Sequence, residues 1–320
     1  MNHSTTVEFH SLFRSMAFLS SLLVAATLQL GCGGNNSVGM SSTVSSPPVQ
    51  TPTPTGQLAF SHVVLLVEEN HSYSDVIGNV SMPYFNSLAS QYGLATQYFA
   101  NGHPSIPNYL VLTTGLTETF DDTFSGTISD DNVVRELSKA GKTWKSYAES
   151  LPSPGYLGGD SGLYLRHHNP FTYLSDVQNN SAQAANVVPF TQFSTDLANN
   201  ELPQYSFIAP NVNDDAHNGT LAQADSWLHA NIAPLLANSE FQSSGLLIIT
   251  FDESEDTDVE YGGGHVATLV ISSQAKQGFQ SQTLYQHQST LRLILSASGV
   301  DTFPGLAAAA PDMNEFFIGH

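Results

Sequence analysis

Basic residues and cysteine are both scarce in this chain. Eight Lys and Arg stand against 28 Asp and Glu over 320 residues, a formal net charge of −20. So acidic a field repels nucleic acid and anionic membrane surfaces, and no basic patch interrupts it, so no nucleic-acid partner is expected. An anionic substrate must instead be met locally, by a metal ion or by protonated histidines. The single cysteine, Cys32, allows no intramolecular disulfide, no four-cysteine zinc site and no CxxC redox pair. Charged residues are 11% of the chain and hydrophobic ones 41%, which is a globular balance rather than a disordered one. The length suits one large α/β domain or two small ones.

Near the start lies "FRSMAFLSSLLVAATLQLGC", residues 13–32. After Arg14 the apolar run is about fifteen residues, short for a membrane span but matched to the apolar core of a signal peptide. Cys32 follows Gly31 where a bacterial lipoprotein carries its lipidated cysteine, although Gln29 and Leu30 depart from the aliphatic and small residues that such a signal prefers. A lipidated anchor, a cleaved secretory peptide and an uncleaved anchor all stay open. Residues 33–57, rich in Gly, Ser, Thr and Pro and without charge, make a flexible linker that cannot form a core. The expected organisation is an export signal over 1–32, a linker over 33–57 and one catalytic domain over 58–320, exported and held at the cell surface or in the periplasm.

Strand-length apolar runs recur beyond residue 58: "VVLLV" (63–67), "YSFIA" (205–209), "LLIITF" (246–251) and "ATLVIS" (267–272). They are continuous rather than alternating, as in strands buried on both faces. Helix-like segments at 82–93, 130–142, 223–239 and 288–299 lie between or after them. The alternation predicts an α/β fold, a mostly parallel central sheet flanked by helices on both faces.

Ligands in such sheets gather at the carboxyl ends of the strands. The first run ends in Glu68-Glu69-Asn70, the second runs into Asn211, Asn213, Asp214, Asp215 and His217, and the third ends in Asp252-Glu253. Any one of these tails could be a solvated strand end; three together point to a site. Their oxygen donors suit Mg²⁺, Ca²⁺ or Mn²⁺, and zinc would accept them beside histidine. Twelve histidines outnumber Lys plus Arg, and His71, His103, His167, His168, His217, His265 and His287 fall in or beside polar segments. A histidine there can carry a proton to a leaving group or donate to phosphoryl oxygens. "NGHPSIPNYLVLTTG" (101–115) supplies a candidate nucleophile, Ser105, between two prolines that stiffen the turn.

The ordered set "HVVLLVEENHSYSDVIGN", "GHPSIPNYLVLTTG", "YLRHHNPFTYLSDV", "YSFIAPNVNDDAHNG" and "LIITFDESEDTDVEYGGGHVATLVIS" resembles the phosphoesterase family. That family groups bacterial acid phosphatases with phosphocholine-type phospholipases C, in the alkaline-phosphatase-like superfamily, and the resemblance runs over residues 60 to 300. It implies an alkaline-phosphatase-like fold and a serine nucleophile that forms a phosphoryl-enzyme. By position, Ser105 resembles the nucleophile, and Glu69, Asn70, Ser105, Asp252 and Glu253 resemble the ligands of one divalent metal ion, with Mg, Ca, Mn or Zn open. His168 and His217 resemble catalytic histidines, although His167 adjoins His168 and could take its place. Asn108, His103, Asp214 and His265, with Asp215 near them, resemble the surroundings of a bound phosphate. No "PxR" follows Ser105, so a sulfatase is not expected. The activity expected is phosphomonoester hydrolysis on a small phosphate ester; phosphodiester or phospholipase C-type cleavage, and a catalytically silent surface-binding protein, are the alternatives.

Overall fold

A computed structural model of the chain describes residues 58–320. The export signal, Cys32 and the linker expected over 1–57 lie outside the described residues. The described residues form ten strands: β1 (His62–Glu68), β2 (Gly93–Ala95), β3 (Tyr98–Phe99), β4 (Trp144–Ala148), β5 (Val187–Pro189), β6 (Tyr205–Ala209), β7 (Gly245–Phe251), β8 (Thr268–Ile271), β9 (Gln280–Ser281) and β10 (Tyr285–Gln286). Eight of them make one sheet in the order β5-β4-β6-β1-β7-β8-β2-β9, while β3 pairs with β10 apart from it. The pairs β5–β4, β4–β6, β6–β1, β1–β7 and β2–β9 are parallel. Only β8 runs against its neighbours, pairing antiparallel with β7 and β2.

The core sits along the middle of this sheet. Every residue of β1, β6, β7 and β8 is buried, the outcome that continuous apolar runs imply when both faces are covered. On one side the helix Ser105–Thr114 packs against the helix His287–Ala297; elsewhere the helix Pro83–Gln91 packs against the helix Leu221–Ala237. The four apolar runs read as strands are β1, β6, β7 and β8. The four helix-like segments hold helices at Pro83–Gln91, Val133–Lys139, Leu221–Ala237 and His287–Ala297. Val133–Lys139 is shorter than its apolar pattern because Asn132 caps it, its side chain accepting from the Arg135 N–H. Gly93, the last residue of the first helix-like segment, begins β2 instead.

Candidate active site

Register brings the acidic tails together. Glu68 of β1 lies opposite Phe251 of β7, so the residues that follow each strand are neighbours. The Asp252 N–H donates to the Glu68 carbonyl at 3.0 Å, and the Asn70 N–H donates to Asp252 Oδ1 at 3.3 Å. On the other side of β1, the Glu69 N–H donates to the carbonyl of Asp215, beyond the end of β6, at 2.8 Å. Three adjacent parallel strands thus end in one polar cluster, where an open α/β sheet puts its ligands. Asn70 takes φ +50°, a left-handed conformation that Asn tolerates better than most residues.

Ser105 enters from above as the first residue of the helix Ser105–Thr114, whose ten residues are all buried. Its Oγ lies 3.2 Å from Glu69 Oε2 and 3.0 Å from Glu253 Oε1. One hydroxyl proton can serve only one of these oxygens at a time. The turn before the helix is held by Asn108: its Oδ1 accepts from the N–H groups of Asn101 and Gly102, and its Nδ2 donates to the Gly102 carbonyl at 2.7 Å. Gly262 and Gly263 press against the same turn. A Cβ on Gly262 would sit 2.3 Å from the Asn101 carbonyl oxygen, and one on Gly263 2.7 Å from the Gly102 nitrogen. Asp122 accepts from the Ile106 N–H at 3.0 Å and so caps the helix that presents Ser105.

The acids around Ser105 are starved of positive charge. Burial first, then neighbouring carboxylates, push Glu69 and Asp252 well above the usual carboxylate range. Burial also raises Glu253 to about 8 and Asp215 to about 7. Among the described residues no Lys or Arg forms an ion pair with any of the four. Asn70 Oδ1 and Asp252 Oδ2 are buried without a hydrogen-bond partner. Orphaned oxygens beside crowded carboxylates fit a hard divalent cation, which would reverse these shifts. Glu68, one residue earlier, is fully buried with both carboxylate oxygens unpartnered, and its acidity is weakened by burial and by Asp215 and Asp214.

Beyond Glu69, His168 is buried in a short 3₁₀ turn, Arg166–His168. Its Nε2 is 3.2 Å from Glu69 Oε1 and its Nδ1 3.3 Å from Asp215 Oδ2. These are close contacts, but Nε2 and Asp215 Oδ2 lack the alignment of a hydrogen bond. Burial, then the neighbouring His217, push His168 down to about 3. His217 is exposed, its ring 5.8 Å from that of His168, and its N–H donates to Asp215 Oδ1 at 2.8 Å. Glu69, His168 and His217 bring one ligand-type atom each within 4.8 Å of the others. His167 stands edge-on to His168 at 4.6 Å and is lowered to about 4, by burial and then by His168.

Four expected phosphate-side residues are engaged elsewhere. Asn108 is occupied by the Asn101–Gly102 backbone, as above. Asp214 accepts from Asn211 Nδ2 at 2.8 Å and from Gln223 Nε2 at 2.9 Å, which fixes its loop. His103 has its Nε2 2.9 Å from the Asp258 carbonyl and its Nδ1 2.7 Å from Glu253 Oε2, so both nitrogens have oxygen partners and the ring orients Glu253. His265 is stacked between Tyr73, at 4.3 Å, and Phe99, at 4.8 Å, with its Nε2 3.1 Å from the Thr96 carbonyl. In each case at least one polar atom of the side chain is engaged by a protein group.

Two further residues support the acids, and the first of them escaped the sequence. Tyr109 donates its buried hydroxyl to Glu69 Oε1, and its ring stacks on His168 at 5.3 Å. Its spacing from Ser105, one helical turn on the same face, was the signal that could have found it. His287, one of the histidines beside the polar segments, donates from Nε2 to the Asp252 carbonyl at 2.6 Å, while its Nδ1 meets the Tyr98 hydroxyl at 3.1 Å.

The model of the Phosphoesterase family matches residues 80–301. A phosphatidylinositol-3-phosphatase of Mycobacterium tuberculosis is 33% identical over 262 residues, covering 81% of this chain and 83% of that protein. A probable acid phosphatase of Kluyveromyces lactis is 33% identical over 242 residues, covering 73% of this chain but only 57% of its own length. The chain thus spans little more than half of that fungal relative. Among solved structures, a protein in the alkaline phosphatase superfamily from Vibrio parahaemolyticus superposes with a TM-score of 0.56 at 12% identity, over 82% of this chain and 73% of that one. At that identity the likeness speaks for the fold alone. With a family model over most of the domain and a relative 33% identical over 81% of this chain, the chain belongs to the phosphoesterase family and is a phosphoric-ester hydrolase.

Proposed function

We propose that the protein hydrolyses phosphomonoesters, as an acid-phosphatase-like enzyme, through Ser105 and with one divalent cation held by Glu69, Asn70, Ser105, Asp252 and Glu253. The observation that carries this is Ser105 Oγ standing between two buried carboxylates, 3.2 Å from Glu69 and 3.0 Å from Glu253. When bound, the cation would supply Lewis acidity and screening of the phosphate in this acidic protein. The remaining work falls to the chain's own residues. Ser105 passes its proton to Glu253 or Glu69 as Oγ attacks phosphorus, the ester P–O bond breaks, and phosphoserine forms. His217, exposed at the mouth, is placed to protonate the departing alcohol oxygen. His168, close to neutral at working pH, is placed to hold a phosphoryl oxygen once its partners adjust. Water then attacks the phosphoserine, restoring Ser105 and releasing phosphate.

Residues 1–32 are proposed as an export signal and 33–57 as a linker ahead of the catalytic domain. No helix among the described residues is long and apolar enough to cross a membrane. A second reading, a monoester carried on a lipid headgroup, is favoured by the name of the mycobacterial relative.

The test is p-nitrophenol release from p-nitrophenyl phosphate by the purified chain, before and after chelation and with divalent metals added back. Turnover should vanish with the chelator and return with metal, and Ser105→Ala should lower kcat on the order of 10³-fold or more. Activity that survives Ser105→Ala would remove the nucleophile assignment. Turnover that a chelator leaves untouched after long dialysis would remove the cation. Comparing p-nitrophenyl phosphate with a short-chain phosphatidylinositol 3-phosphate separates the soluble from the lipid-borne substrate.

A further inference from the structure

A second set of ligand-type side chains lies beside the carboxylate cluster and takes no part in the chemistry above. His71, Asp75 and Glu255 each bring one nitrogen or oxygen within 4.8 Å of the other two. His71 precedes the one-turn helix Tyr73–Val76, and Asp75 lies within it. Glu255 comes from the opposite direction, two residues past Glu253 in the loop that follows β7. Among the described residues no lysine or arginine pairs with Asp75 or Glu255. His71 Nδ1 is buried and has no hydrogen-bond partner. A buried imidazole nitrogen left unmatched is unusual in a folded protein, and here it belongs to the histidine of this cluster.

The backbone around the three is fastened independently of any ion. The Tyr73 N–H donates to the His265 carbonyl at 2.7 Å, and the two rings stack at 4.3 Å. The His265 N–H in turn donates to Asp258 Oδ2 at 2.9 Å. The turn that carries His71 and Asp75 is thereby tied to the far end of the loop that carries Glu255.

We propose that His71, Asp75 and Glu255 form a second divalent-cation site, separate from the one around Ser105 and suited to zinc or manganese. One imidazole nitrogen with two carboxylate oxygens favours these ions over Mg²⁺ and Ca²⁺, which prefer oxygen alone. An ion there links the segment after β1, which carries Asn70, to the segment after β7, which carries Glu253. Its part is to brace those two segments, not to touch the substrate.

The experiment counts metal. The chelator-stripped full chain is dialysed against zinc or manganese, and bound ion is measured by mass spectrometry. The wild type should hold about two equivalents and Asp75→Asn/Glu255→Gln about one, with kcat changed less than about 10-fold once metal is restored. Asp252→Asn/Glu253→Gln should keep one equivalent, and adding Asp75→Asn/Glu255→Gln to it should remove that ion. His71→Gln alone should weaken the second equivalent, which guards against a result caused by misfolding of the double variant. Equal metal content in the wild type and Asp75→Asn/Glu255→Gln would overturn the site, whatever the Asp252→Asn/Glu253→Gln protein binds.

Discussion

Two of the places where the molecule buries carboxylates answer the burial in opposite ways. Asp196 accepts from Lys145 Nζ at 2.5 Å, Tyr147 Oη at 2.6 Å and Gln192 Nε2 at 2.8 Å. Burial pushes its carboxyl up, yet these three bonds outweigh burial and hold it below the usual range. Glu69, Asp252 and Glu253 are as deeply buried, and all three are pushed up. The chain has only eight Lys and Arg. Among the described residues one of them, on β4, meets Asp196, and none meets the acids around Ser105. An acid with its own cation is a structural part of the fold; acids without one leave a place for a cation from solution.

The sharpest way to break that contrast is to neutralise one acid in each region. Asp252→Asn should lower kcat/KM on the order of 10²–10³-fold. It should also leave the metal-free protein as stable or more so, because it removes repulsion. Asp196→Asn should leave kcat unchanged and cost about 1–3 kcal/mol of stability, for lost bonds to a charged group whose lysine is partly exposed. Thermal melts and kinetics of both variants decide; a similar loss of stability in the two would end the distinction.

Next in size is the dependence of stability on pH. In the metal-free protein Asp215 titrates at about 7 and Glu253 at about 8, against roughly 4 for an unfolded carboxyl. The folded state therefore keeps protons that the unfolded state has released. The stabilisation this gives is complete below the unfolded value and is lost as pH rises through about 7 to 8. His168, lowered to about 3, acts the other way: its contribution is present above about 6.5 and fades as pH falls. Melting temperatures of the chelated protein should fall from about pH 5 to pH 8, and saturating divalent metal should flatten the fall. A steep fall that metal leaves unchanged would place the protons elsewhere.

The sequence made the acidic side of the site readable because it is written in consecutive residues. Glu69-Asn70 and Asp252-Glu253 each follow an apolar run, and the parallel sheet sets those runs side by side. The strands β4 and β5 were not readable: "WKSYA" is half polar because Lys145 serves Asp196, and β5 has only three residues. The phosphate side was less legible still. Asn108, Asp214 and His265 have the right chemistry, but which atoms face the site depends on loop bonds to Gly102, Gln223 and Thr96 that no spacing encodes. Tyr109 was hidden for a related reason, since an aromatic at helical spacing reads first as core.

Tyr109→Phe isolates one bond of the acidic region. The ring can keep its stack on His168, while the hydroxyl that meets Glu69 Oε1 is lost. Partners that orient a ligating carboxylate are worth about 10–100-fold in metal affinity or activity, so a loss near the low end is expected, with metal affinity falling in step with kcat. A fall in kcat with unchanged metal affinity would mean that Tyr109 acts through His168 rather than through Glu69.

The smallest effect belongs to His265→Phe, and there the prediction is nearly a null. The ring lies between Tyr73 and Phe99 at stacking distance, and its Nε2 is taken by the Thr96 carbonyl. Phenylalanine preserves the stack and gives up one hydrogen bond, so the stability cost should stay under about 1.5 kcal/mol. KM for a phosphomonoester should not move, because no phosphoryl oxygen is lost with the imidazole. Burial holds the His265 ring below its ordinary pKa, so the wild-type imidazole is a poor source of positive charge for phosphate, and an all-carbon ring gives up little of it. A tenfold rise in KM with intact folding would return His265 to the phosphate and show that the stacked ring swings inward when substrate binds.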